Sequence, residues 1–233
     1  MHTRPPREIL ESGRLIAGSV RNPWDWYVSM WGYGCDGKGA LFDRLTGRPR
    51  LLGQGYRRSL KEGLLNLYYD LRREGGFWRE LYSDAESPRL FREWLRALLD
   101  SDRSREIGEG YSTSPLRRFA GLYTFRYCRL FHDTEEHLYD GSVSDAASLE
   151  LADREHNCVR HMIMTENIVD GIVEMLRKSG LDVTDELRAE VGSMERTNPS
   201  SRKEDYTFYY DEHTSGLVAE RDSLIVKKHG YGF

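Results

Sequence analysis

The stretch RLIAGSVRNPWDWYVSM, Arg14 to Met30, decides how the chain is read. Leu15 to Val20 is a short apolar run bounded by Gly13 and Pro23, the pattern of a strand buried on both faces of a parallel sheet. Asn22 suits a helix N-cap, Pro23 suits the first helical position because the N–H it lacks has no partner there, and Asp25 favours the positive end of the helix dipole. The unit reads as strand, tight turn, helix. Arg21 closes the strand and Ser29 follows eight residues later. A guanidinium at the carboxyl end of a parallel strand lies where open α/β sheets bind ligands, beside a helix N-terminus that attracts anions. With a hydroxyl about two turns into the helix, that fork could grip one phosphate. The competing assignment pairs Arg21 with Asp25 and leaves Ser29 without a role.

Working outward, most of the chain reads as helix. Residues 32 to 57 are rich in Gly, Arg and Pro and read as loop. In SLKEGLLNLYYDLRR, residues 59 to 73, Leu60, Leu64, Leu67, Tyr68 and Leu71 fall on one face. Leu90, Phe91, Trp94, Leu95 and Leu98 do the same in a helix that Ser87-Pro88 starts. A third helix is expected from about Ser114 to Phe131. HMIMT, residues 161 to 165, reads as a second buried strand, followed by a helix through Lys178 that Gly180 closes. The tail around residues 211 to 228 reads as one more helix, and there is no internal repeat.

At 233 residues the chain can bury a core without a metal or disulfide staple, and a single domain over residues 1–233 is expected. Aromatics make up 12% of it, which argues against disorder despite 31% charged residues. Cys35, Cys128 and Cys158 are odd in number and form no CxxC pair, so the expectation is a reducing, cytoplasmic setting. No apolar run approaches the length of about 20 residues that a membrane span needs, and no signal peptide is read at the start. The net charge of -4 divides unevenly: residues 1 to 130 carry 23 Lys and Arg against 16 Asp and Glu, the rest 11 against 22. The front could hold an anion, but an acidic whole chain speaks against a nucleic-acid partner.

Several motifs reduce to duller readings. GYGCDG, Gly32 to Gly37, matches GxGxxG but follows a helix rather than a strand, so it does not present a helix N-terminus to a pyrophosphate. Gly37-Lys38-Gly39 lacks the Ser or Thr of a phosphate-binding loop. The pairs His132/His137 and His156/His161 are five apart, off a common helix face, and no third ligand is evident, so no metal is expected. There is no Gly-x-Ser-x-Gly elbow.

VRNPWDWYVSMW resembles the 3′-phosphate-binding segment of the sulfotransferase family, in which an arginine closing a strand and a serine eight residues later hold the 3′-phosphate of 3′-phosphoadenosine 5′-phosphosulfate (PAPS). Arg21 and Ser29 match in type and spacing. HTRPPREIL resembles the segment ahead of that strand. MTENIVDGIVEMLRKSGL resembles the family's strand, Glu-Asn and helix, and YTFYYDEHTSGLVAERDSLIVKKHGYGF resembles its Tyr-Tyr-Asp to Phe-Gly-Tyr ending. The resemblance implies a P-loop-like, three-layer α/β fold with a small central parallel sheet and many surrounding helices. It implies PAPS as sulfuryl donor, no metal, and transfer to a hydroxyl or amine of a small-molecule or carbohydrate acceptor. By position it makes His2 the candidate catalytic base, and it puts Arg202 and Lys203 with Arg21 and Ser29 on the 3′-phosphate. Trp24, Trp26 and Trp31 are expected in the core or beside the adenine. The sequence departs from the family in having no lysine-bearing loop for the 5′-phosphosulfate ahead of Arg21, in Met164 where relatives show arginine, and in Lys228-His229 before Gly230-Tyr231. The alternative expectation is therefore an inactive or N-terminally truncated relative that binds nucleotide or serves as a scaffold.

Overall fold

The computed structural model describes residues 4–47, 64, 68, 71–193 and 204–233. The order is α1 (Arg7–Glu11), β1 (Ala17–Val20), α2 (Pro23–Cys35), α3 (Ala40–Thr46), α4 (Gly75–Leu81), α5 (Pro88–Leu99), α6 (Leu122–Phe131), α7 (Ala146–His156), β2 (His161–Met164), α8 (Ile168–Lys178), α9 (Asp185–Ser193), α10 (Glu212–Arg221) and α11 (Ser223–His229). The protein is thus mixed α/β and mostly helical. Among the described residues the sheet has two strands, parallel, in register from Ala17 opposite His161 to Val20 opposite Met164.

The strand–turn–helix reading holds, and its local chemistry is what the sequence called for. Asn22 caps α2, its side-chain oxygen accepting from the amides of Trp24 and Asp25, with Pro23 in the first turn. The strand itself is less enclosed than expected. Val20 is buried, but Ala17 and Gly18 are half-buried and Ser19 is exposed.

The core forms around α2 and α5. Trp24, Tyr27, Val28 and Trp31 from α2 meet Phe91, Trp94, Leu95 and Leu98 from α5, all nearly without exposure. Trp31 packs edge-on against Phe91 and Tyr209, and Tyr27 against Trp94, contacts that add roughly 0.5–1.5 kcal/mol each beyond area burial. Ser87 caps α5 as expected. Gly32 and Gly34 lie inside α2 rather than in a loop, and Gly34 is required there: a Cβ would come 2.3 Å from a ring carbon of Tyr82. Gly34→Ala should therefore destabilise by about 1–3 kcal/mol through overpacking, despite alanine's better helix propensity. Urea unfolding checks it; a gain in stability would mean the Tyr82 ring swings aside freely.

Other expectations need correction. Residues 40–46, read as loop, form α3. The helix expected from Ser114 is a 3-10 turn over Pro115–Arg118, and the α-helix starts after Gly121. The tail is two helices, broken at Asp222. Leu64, Tyr68 and Leu71 are helical but exposed, so the apolar stripe of residues 59–73 does not face the core at these positions; its other members lie outside the described residues. The strand 161–164, the helix to Lys178 and the left-handed Gly180 are as read. No described helix is long and apolar enough to cross a membrane.

Candidate functional site

Both strands end on the same side, so the segments beyond Val20 and Met164 lie together. Asn22 donates its amide to Glu166 Oε1 at 2.6 Å, and the Tyr231 hydroxyl donates to Glu166 Oε2 at 3.1 Å. The Asn22 side-chain amide reaches the Gly232 carbonyl at 3.4 Å and the Tyr206 hydroxyl at 3.5 Å. One carboxylate and one carboxamide thereby tie the turn after β1, the turn after β2 and the C-terminal segment to each other. Phe233, itself exposed, lies edge-on to Trp24, Tyr206 and Tyr210. The stretches after β1, after β2 and at the C-terminal end thus meet at one place.

The Arg21 backbone is held rigidly. Its N–H donates to the Tyr123 hydroxyl at 2.8 Å, and that hydroxyl donates to the Arg21 carbonyl at 3.1 Å. Burial, with the charges of Asp222 and Glu166, pushes the Tyr123 phenol well above its ordinary pKa despite the Arg21 bond, so it stays a neutral donor. Tyr123 stacks on Trp26 at 4.4 Å between centroids, and the Arg126 guanidinium lies 5.5 Å over Trp26. Trp24 and Trp31 are core residues, whereas Trp26 is half-buried beside Arg21's anchor.

The Arg21 side chain is about one-third exposed and pairs with Asp25: both Nε and Nη2 lie 2.5 Å from Asp25 Oδ2. The pairing weighed against the phosphate reading is therefore present. It occupies one edge of the guanidinium and leaves Nη1 for another acceptor. Asp25 and Ser29 stand four apart on α2, one above the other on one face, and Ser29 is half-buried. The residues run Arg21, Asp25, Ser29 along that face, so an anion gripped by the first and last must share the guanidinium with the middle one. His2, Arg202 and Lys203 lie outside the described residues.

Three of the described lysines are held by carboxylates away from this turn. Lys178 pairs with Glu174, Lys227 with Glu150 and Lys228 with Asp153. An open hollow of about 410 Å³ is lined by Tyr68, Arg72, Asp102, Arg105 and Glu106, and none of Arg21, Asn22 or Glu166 borders it. No described group of three or more His, Cys, Asp or Glu is arranged to hold a metal ion. The three cysteines are free, and burial with the charges of Asp36 and Asp84 pushes the Cys35 thiol up to about 12, which makes it a poor nucleophile.

Sequence reasoning found Arg21, Asn22 and Ser29 because they sit in one local motif. It missed Glu166 as a brace, Tyr123 as the clamp on Arg21, and the meeting of His132, His137 and His156, which are brought together from separate segments. No family model, curated protein or solved structure compared with the chain matches it.

Proposed function

We propose that the chain is a sulfotransferase-type protein whose nucleotide 3′-phosphate binds at the carboxyl end of β1, on Arg21 and Ser29 beside the N-terminus of α2. The observation that carries the reading is the placement of Arg21: at the end of a parallel strand, its backbone clamped by Tyr123, one guanidinium edge still available. The meeting of three of the four stretches that carry the family resemblance supports it too. The P-loop-like three-layer core belongs to the same proposal.

In such a reaction the acceptor's oxygen or nitrogen forms a bond to sulfur while the bond from sulfur to the 5′-phosphate oxygen breaks in line. The acceptor proton passes to a base, and adenosine 3′,5′-bisphosphate leaves. Arg21 and Ser29 would orient the nucleotide by its 3′ end. His2 is the proposed base, Arg202 and Lys203 are proposed as further phosphate contacts, and acceptors with hydroxyl or amine groups, carbohydrates among them, are the proposed substrates. Transfer of 35S from PAPS to any member of a carbohydrate, phenol and lipid panel is the expected result. Failure across that panel, with an active sulfotransferase as control, overturns the catalytic reading.

A second reading, nucleotide binding without transfer, is favoured by one observation: Lys178, Lys227 and Lys228 are all committed to carboxylates elsewhere. Saturable bisphosphate binding with no turnover would select it.

A further inference from the structure

Away from the Arg21 site, three imidazoles from two segments pack on one another. His137 stacks on His156 at 4.3 Å between centroids and 9° between planes, and His132 lies 5.1 Å from His137. His132 has no exposed surface and His137 is 8% exposed, while His156 is the half-buried outer ring.

The hydrogen bonds fix the tautomers. His132 Nε2 lies 3.2 Å from Asp153 Oδ1, and His132 Nδ1 lies 2.9 Å from His137 Nε2. Asp153 is an ionised acceptor: burial raises its pKa, but bonds from His132, Asn157 and Lys228 outweigh that and bring it to about 2. A ring that gives Asp153 the proton on Nε2 and carries no second proton accepts at Nδ1. His137 must donate through Nε2, which leaves its Nδ1 lone pair buried and without a partner. The relay runs His137 to His132 to Asp153, and its open end is a base sealed from water.

The relay sits on a clasp. His132 follows α6 directly and bridges Asn157 in antiparallel fashion, flanked by bonds from the Asp133 amide to the His156 carbonyl, 2.8 Å, and from the Cys158 amide to the Phe131 carbonyl, 2.9 Å. Two residues on, the Arg160 amide donates to the Ile16 carbonyl, just ahead of β1. These bonds couple the end of α6 to the entry of β2.

We propose that the Asp153–His132–His137 relay, covered by the His156 ring, is an acid-released latch holding the end of α6 against the entry of β2. A proton on His137 Nδ1 creates a buried N–H with no acceptor and an imidazolium against two other imidazoles. Swinging the Glu136–Leu138 turn outward relieves both, at the expense of the bond to His132, the burial of Leu138 and the bond from the Ser114 hydroxyl to the Leu138 carbonyl at 2.6 Å. The charged and titratable groups facing the relay are Asp133, Tyr127 and Cys128 from α6 and its end, Asp140 beyond the turn, Asp153 and His156 from α7, and Lys228 and His229 from α11. Asp133 and Asp140 favour the proton on His137, but burial first, then His132 and His156, outweigh them and lower its pKa to about 4. The sign follows: the closed latch holds fully above the open turn's ordinary value near 6.5 and weakens as pH falls from there toward 4.

One proton taken up by the open form alone raises the open population roughly tenfold between about pH 7.5 and 5.5. Hydrogen exchange by mass spectrometry, normalised for the intrinsic rate, should show that loss of protection in segments 131–139 and 156–161 of the whole chain. His137→Gln keeps a donor to His132 but cannot titrate, and should retain protection at pH 5.5. Unchanged protection in the wild type, or an equal loss in the variant, overturns the proposal. Should the variant fold poorly, nitrogen-15 shifts of the wild-type histidines decide: a His137 that is protonated on Nε2 and titrates well below 6.5 sustains the latch, and one that titrates normally sinks it.

Discussion

Arg21→Ala is expected to weaken binding of adenosine 3′,5′-bisphosphate by roughly tenfold or more, the loss of a charge-assisted phosphate contact of about 1.5–3 kcal/mol. The loss should be near the upper end, because the variant also removes the guanidinium that stands between the Asp25 carboxylate and the phosphate. Asp25→Asn should act in the opposite direction. It releases the Nε and Nη2 edge of the guanidinium and removes a negative charge, so affinity rises. Calorimetric titration of the bisphosphate into the three proteins separates the cases. Equal binding by wild type and Arg21→Ala would move the phosphate elsewhere, and no binding by any of them would remove the nucleotide site.

The largest effect on stability is expected at Asp222, which has no exposed surface and sits in the break between α10 and α11. Its Oδ1 accepts from the Thr124 amide and hydroxyl at 2.8 and 2.7 Å, and its Oδ2 from the Tyr27 hydroxyl at 2.8 Å. α6 thus has its N-terminal cap supplied from the far end of the chain, and Gly121 is needed because a Cβ there would lie 2.4 Å from Asp222 Oδ2. Asp222→Ala orphans three buried donors and should cost about 3–5 kcal/mol, a large part of a typical 5–15 kcal/mol. Thermal unfolding should fall by roughly 6–20 °C. Asp222→Asn, which keeps an acceptor for Thr124, should fall by clearly less. Equal losses would show that the cavity, not the hydrogen bonds, sets the cost.

What could be read from the sequence was what neighbouring residues decide among themselves. The Asn22-Pro23 start of α2 and the Ser87-Pro88 start of α5 depend on side chains within one turn of the backbone they satisfy, and the Gly180 stop on the positive φ that glycine permits. The break at Asp222 was illegible because its carboxylate caps a helix about a hundred residues earlier, while in sequence it is one more polar position in a helical tail. The break at Gly121 has the same cause. The histidines at 132 and 137 were set aside on helical spacing, but the chain leaves α6 at His132 and turns, so that spacing never applied. In the candidate site, Arg21 and Ser29 lie in one motif, whereas Glu166 and Tyr123 reach it from 144 and 102 positions away.

That distance also sets a timetable for synthesis. β1 leaves the ribosome before its partner strand, which follows only when the residues up to Met164 have been made. At about 5–20 residues per second, the 144 positions separating Asn22 from Glu166 take roughly 7–30 s. Through that interval β1 has no partner strand and both its hydrogen-bonding edges are open, a template for pairing with other chains. Its brevity, four residues with a glycine at the second and a serine at the third, limits what it can recruit while the helices around α2 collapse first.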